Sequence, residues 1–169
     1  MTLGFDDYLA THGAALQRYA FVLTGNATDA EDLVQAALVQ AYRHWRRIGK
    51  MAAPHAYVRR IVTGCFVSQR RRRAWTERPM GTVPDVADPV DHTERVADLD
   101  AIVRALDHLT AQQRAVLVLR HLLGLPDGEI ARELGCSVPT VRSHASRGLH
   151  RLRELLHYPD LEIDHEPRP

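Results

Sequence analysis

The residue pattern predicts an all-α protein of two small helical domains, and three observations carry that expectation. Apolar residues recur at helical spacing through most of the 169 residues. A stretch rich in Pro and Asp, residues 76–95, divides the chain into two. Near the C-terminus, Ala131, Gly135 and Val141 have the spacing of a helix-turn-helix.

The first helix is expected over about Phe5 to Leu23, where Leu9, Leu16, Tyr19, Ala20 and Leu23 form an apolar stripe. Gly25-Asn26 ends it, and Thr28-x-x-Glu31 reads as a capping box for the next. That second helix, about Asp29 to Arg47, has the cleanest periodicity: Leu33, Val34, Ala37, Leu38, Ala41, Tyr42 and Trp45 share one face. Asp29, Glu31, Asp32 and Gln35 gather in its first turns, where the helix dipole favours acids. A loop, Ile48 to Ala53, leads to Pro54, which suits the first turn of a third helix running to about Arg73. Tyr57, Val58, Ile61, Val62, Cys65 and Phe66 are expected inside, with Arg59, Arg60, Thr63, Val67 and Arg70 on another face. The run Arg70-Arg71-Arg72-Arg73 exceeds what helix-end capping needs and points to phosphate contact.

Pro79, Gly81, Pro84 and Pro89 make residues 76–95 a flexible linker, kept solvated by Asp85, Asp88 and Asp91. Beyond it, Val96, Leu99, Ile102, Val103 and Leu106 predict an amphipathic helix. Thr110-x-x-Gln113 caps an apolar helix, Ala111 to Leu123, ended by Gly124. A short helix from about Pro126 to Leu134 and a last one from Val138, capped by Ser137, complete the helix-turn-helix. Ala131 allows close approach, Gly135 the left-handed turn, and Val141 packs back onto Ile130 and Leu134. The last helix then presents Ser137, Thr140, Arg142, Ser143, Ser146, Arg147 and Arg151 for a major groove. Arg142 is placed to read a guanine edge; Ser137, Thr140, Arg147 and Arg151 suit phosphates.

Charge follows the same division. Residues 1–75 carry eleven Lys/Arg against five Asp/Glu, residues 76–100 two against seven, and residues 101–155 eight against five. The last fourteen residues carry one against four. Two basic blocks suit a polyanionic partner, and the acidic segments should lie away from it. Cys65 and Cys136 match no metal-ligand spacing, and His144, His150 and His157 lack completing ligands, so neither metal nor cofactor is expected. No apolar run approaches the roughly 20 residues of a membrane span, and the N-terminus lacks a signal-peptide pattern, which places the chain in the cytoplasm.

Three stretches give the reading its sharpness: DAEDLVQAALVQAYRHW (Asp29–Trp45), AYVRRIVTGCFVSQRRRR (Ala56–Arg73) and Leu109–Leu155, which holds the helix-turn-helix. Together they resemble the extracytoplasmic-function (ECF) sigma factors of bacterial RNA polymerase. The resemblance implies two domains, residues 1–75 (region 2) and 96–158 (region 4), with a linker at 76–95 and an acidic tail at 159–169. It implies docking of Asp29, Glu31, Asp32 and Gln35 on the clamp helices of the largest polymerase subunit. Arg46, Arg47, Lys50, His55, Arg59, Arg60, Thr63 and Arg70, Arg71, Arg72 and Arg73 would hold the melted −10 strand. The helix-turn-helix would read the −35 element as duplex, with its inner helices on the flap of the second-largest subunit. The linker would thread toward the RNA exit path. Many such factors have an anti-sigma partner, though no feature of this sequence demands one; the free chain is expected to be monomeric.

Two departures from the family pattern stand out. Pro126 occupies the position where Ser or Thr commonly caps the first helix of the motif, and Gly128 weakens that helix by about 1 kcal/mol against Ala. The helix is expected to rely on packing, or Asp127 to take over part of the capping. His144 replaces a longer basic or amide side chain, so the family's −35 preference does not transfer. A stand-alone helix-turn-helix regulator, dimerising through residues 5–73, is the alternative and needs a palindromic operator. An enzyme acting on nucleic acid would need clustered carboxylates or a zinc site, and neither is present in the pattern.

Overall fold

The computed structural model describes the backbone of residues 3–76 and 94–156, and the side chains of 3–72 and 101–156. The linker, the tail and the Arg73 side chain lie outside the described residues. Every described element is helical: α1 (Phe5–Thr24), α2 (Ala27–Arg43), α3 (Trp45–Ile48), α4 (Pro54–Thr76), α5 (Glu94–Asp107), α6 (Ala111–Leu117), α7 (Asp127–Leu134) and α8 (Val138–Leu156).

Helix α1 buries Tyr8, Leu16, Tyr19, Ala20 and Leu23 and stops at Gly25, whose φ of 87° only glycine adopts readily. The cap of α2 is Asn26 and not Thr28. The Asn26 Oδ1 accepts the Asp29 N–H at 2.7 Å while its Nδ2 donates to the Asp29 carboxylate at 2.9 Å. An amide supplies donor and acceptor together, which a threonine hydroxyl does less well, so the helix begins earlier than expected. At the other end α2 breaks at His44 and α3 takes over. Trp45 explains the break: its indole N–H reaches the Leu3 carbonyl at 2.9 Å, and its ring packs 5.0 Å from Phe5 and 4.9 Å from Tyr8. Tyr42, expected on the buried stripe, is 65% exposed, its ring edge-on against Phe5 at 5.0 Å.

In α4, Val58, Val62 and Phe66 are buried, with Tyr57, Ile61 and Cys65 packed against them. Thr63 is also fully buried, against expectation. In the second half, the Thr110–Gln113 capping box forms in full. The helix it opens widens at Val118–Leu122 into a π turn, where the Leu123 N–H bonds the Val118 carbonyl at 3.3 Å. Gly135 has φ 67°, and Ile130, Ala131 and Val141 close the helix-turn-helix core. The Ser137 hydroxyl accepts the Thr140 N–H at 3.3 Å and caps α8.

The two halves are not separate. One apolar core runs through both, and α4 packs on α6 and α7. The join is made by Arg114 of α6, which has no exposed surface. Its Nε and Nη2 donate to the Val22 carbonyl of α1 at 3.0 and 2.9 Å, and its Nη1 donates to Asp107. The last carbonyls of a helix have no partner within it, so a cation there satisfies an orphan acceptor and the negative end of the helix dipole together. Burial pulls the Arg114 pKa below its ordinary value, and Asp107 works in the opposite direction.

Arg114→Met keeps the bulk but strands the Val22 carbonyl and leaves Asp107 to its pair with Arg70. The expected loss is about 1–3 kcal/mol, the cost of leaving a buried carbonyl unsatisfied, since Asp107 is 45% exposed and keeps Arg70. Urea unfolding checks it; an unchanged midpoint would show that Arg114 does not hold the halves together.

Candidate nucleic-acid interface

The residues expected at the −35 element come together on one exposed face of α8. Val141, Ala145 and Gly148 are buried against α6 and α7, which turns Arg142, Ser146, Arg147 and Arg151 outward. Ser137 and Thr140 stand at the helix start with their hydroxyl oxygens 2.8 Å apart. Arg147 donates to Ser143, and Arg151 to Glu154 at 3.1 Å. Arg142 is 71% exposed, and its Nε reaches Asp127 at 3.3 Å. Asp127 also pairs with Arg120. The expected capping role of Asp127 is thus replaced by a bridge between two arginines, and Pro126 has no side-chain cap to offer α7. His144 does not lie on the exposed arginine face. It lines a cavity of about 170 Å³ beside Gly64, Ser68, Gln112 and Cys136, and its Nδ1 has no hydrogen-bond partner there.

The residues expected at the −10 element divide into two groups. Arg46, Lys50, Arg60, Arg71 and Arg72 are exposed, and so is Arg47, which donates to the Tyr57 hydroxyl at 3.0 Å. The other group is engaged by the C-terminal half. Arg59 donates to Glu133 at 3.5 and 3.0 Å, Thr63 bonds the same carboxylate at 2.9 Å, and Arg70 pairs with Asp107 at 3.3 Å. Arg59 and Thr63 therefore face α7 and not solvent. No local pattern in the chain announces Glu133 or Asp107 as their partners.

His55 sits between the groups. Its ring stacks on His12 at 4.4 Å, and its Nδ1 lies 3.2 Å from the Tyr8 hydroxyl. Burial pushes the Tyr8 phenol up to about 12, so it remains a neutral donor. Burial, then His12 and Arg59, lower the His55 pKa from its ordinary 6.5. On α2, Glu31, Asp32 and Gln35 are exposed, whereas Asp29 is committed to the Asn26 cap. Exposed apolar side chains lie at Val39 and Tyr42 on α2 and at Leu122 and Leu123 beyond α6.

Comparisons with known proteins give the family. Residues 9–76 match the Sigma-70 region 2 family, and residues 99–152 match Sigma-70 region 4. The RNA polymerase sigma-E factor of Streptomyces avermitilis is 39% identical over 160 residues, covering 95% of this chain and 89% of that protein. The ECF RNA polymerase sigma factor SigM of Mycobacterium tuberculosis is 33% identical over 155 residues, 91% of this chain and 78% of that one. The chain belongs to the ECF sigma factors of the sigma-70 family.

As an ECF sigma factor it works with RNA polymerase and directs transcription initiation; a stand-alone regulator is not favoured. The sigma factor RpoE of Bartonella quintana, solved with the anti-sigma factor NepR, superposes with a TM-score of 0.72 at 28% identity. That match covers 92% of this sigma factor and 98% of that chain. Among the described residues, no helix is long and apolar enough to cross a membrane.

Stability should fall with acid. Since the folded His55 pKa lies below 6.5, the unfolded chain binds more protons once the pH drops toward that value. His121 and His144 are shifted the same way, so they add to the effect. The melting temperature is expected to decrease as the pH is lowered from 7 to 5.5, and His55→Asn should flatten that decrease. A melting temperature that rises over this interval would contradict it.

Proposed function

We propose that this sigma factor meets its polymerase and promoter through four surfaces. The observation that carries the proposal is the exposed face of α8, where Arg142, Ser146, Arg147 and Arg151 stand clear of a helix whose opposite side is buried. A guanidinium fork matches the two acceptors of a guanine edge, so Arg142 is the base reader. Arg147 and Arg151, with Ser137, Thr140, Ser143 and Ser146, hold phosphates and set the register on the −35 duplex.

The second surface binds the −10 strand. Arg46, Arg47, Lys50, His55, Arg60, Arg71 and Arg72 line α3, the following loop and α4, joined by Arg59, Thr63, Arg70 and Arg73. A basic groove tracks a single strand through its phosphates. The third surface docks on the clamp helices of the largest polymerase subunit through Glu31, Asp32 and Gln35. Asp29 contributes by starting the helix that carries them. The flap of the second-largest subunit is met by the inner helices of region 4. Exposed Leu122 and Leu123 support that contact.

The protein brings no catalytic group of its own, acts in the cytoplasm as a monomer when free, and takes an anti-sigma partner. That partner is supported by the fold it shares with the Bartonella quintana factor, which was solved bound to one.

A pull-down with core RNA polymerase tests the docking surface. Asp32 is exposed and off the apolar stripe, so Asp32→Arg should fold normally yet bind core at least about tenfold more weakly, the scale of one reversed charge in an interface. Equal binding by the variant would remove α2 from the docking surface.

A further inference from the structure

We propose that Arg59, Thr63 and Tyr19 form an oxyanion-binding notch on region 2, filled by the Glu133 carboxylate in the free chain and by a phosphate of single-stranded DNA when the halves part. The proposal rests on the assignment of α4 to the −10 strand, and goes beyond it by naming what covers that site and what displaces the cover.

The geometry is that of a built anion site. Glu133, 6% exposed, receives Arg59 Nη2 at 3.0 Å on one oxygen and the Thr63 hydroxyl at 2.9 Å on the other. Arg59 is itself 16% exposed. The Thr63 hydroxyl has one proton, so when it donates to Glu133 it must accept from Tyr19, whose hydroxyl lies 2.8 Å away. Burial pushes the Tyr19 phenol far above its ordinary pKa, and it stays a donor. The chain of donors, Tyr19 to Thr63 to carboxylate with Arg59 alongside, is aimed at two oxygens carrying negative charge. A phosphate presents the same pair.

Glu133 belongs to α7, on the DNA-reading half of the protein, 74 residues from Arg59. A tethered carboxylate acts at a high effective concentration and outcompetes a free strand for the same donors. Its departure strands nothing: Thr63 can turn its proton to the Arg59 carbonyl at 3.0 Å, and Arg59 and Glu133 regain water. The neighbouring packing also favours release. Glu133 borders an open cleft of about 170 Å³ between α4, α6, α7 and α8. The two halves thus meet loosely at the point where the carboxylate enters.

The test uses the full chain and a fluorescein-labelled oligo(dT) strand, followed by anisotropy at low salt without polymerase. Glu133→Gln and Glu133→Ala should each bind the strand roughly tenfold tighter than wild type, and adding Arg59→Ala should abolish the gain. Glu129→Gln, on the same helix, measures the general effect of removing one negative charge. A gain at Glu133 no larger than at Glu129, or one that survives Arg59→Ala, overturns the notch. So does no gain in either Glu133 variant when circular dichroism shows both folded. Run-off transcription with core polymerase and Arg59→Ala separates the two levels. If that variant loses initiation while the Glu133 variants gain no affinity, the −10 assignment stands and only the covering carboxylate is wrong. If Arg59→Ala transcribes as wild type does, Arg59 leaves the −10 surface and the notch falls with it.

Discussion

A guanidinium with no exposed surface joins the two halves of this protein. Arg114 closes the C-terminal end of α1 through the Val22 carbonyl and holds Asp107, which in turn reaches Arg70 on α4. Burying a cation is unfavourable unless its donors are used, and here they meet a helix's orphan carbonyl and a carboxylate. The half-exposed Arg70–Asp107 pair extends that contact to α4, which also packs on α6 and α7 through the shared apolar core. Gly25 belongs to the same arrangement: its φ of 87° is one that side chains rarely adopt, and a Cβ there would lie 3.0 Å from the Asp107 carboxylate, which would have to shift slightly.

The distribution of charge follows from this packing. On α8 the exposed Arg142 reaches Asp127 of α7, and the exposed Arg151 bonds Glu154 of its own helix. On α4, Arg59 and Arg70 meet acids of the second half, Glu133 and Asp107, and Asp107 is shared with Arg114. A polymerase factor has to remain soluble and closed while alone and still present DNA-binding surface when engaged. Under the proposed notch, sharing donors between its own carboxylates and phosphates would meet both requirements with one set of arginines.

Much of this was legible in the chain because the deciding signals are local. The Thr110–Gln113 box, the Ser137 cap, the Gly135 turn and the polar face of α8 each depend on residues within one or two helical turns. Failures were of two kinds. Where two local signals compete, spacing cannot rank them: Asn26 and Thr28 both suit a cap, and the amide prevails because Asp29 answers it from both sides. Trp45 fits the helical stripe of α2, but its bond to Leu3 breaks that helix at His44 and leaves Tyr42 outside. The second kind is non-local. Thr63 looks like a polar surface residue until Tyr19 and Glu133, 44 and 70 residues away, are brought to it. The same holds for Arg114 and Val22, 92 residues apart.

The bridge made by Asp127 has a consequence for how binding responds to salt. An arginine free in solvent, on meeting a phosphate, releases about one condensed counterion from DNA and steepens the dependence of affinity on ionic strength. Arg142 approaches with a carboxylate already 3.3 Å from its Nε and shared with Arg120. For this side chain, engagement of DNA is closer to an exchange of one anionic partner for another. On the proposed −35 reading, its contribution would lie in base preference, and the ionic-strength sensitivity would fall to Arg147 and Arg151.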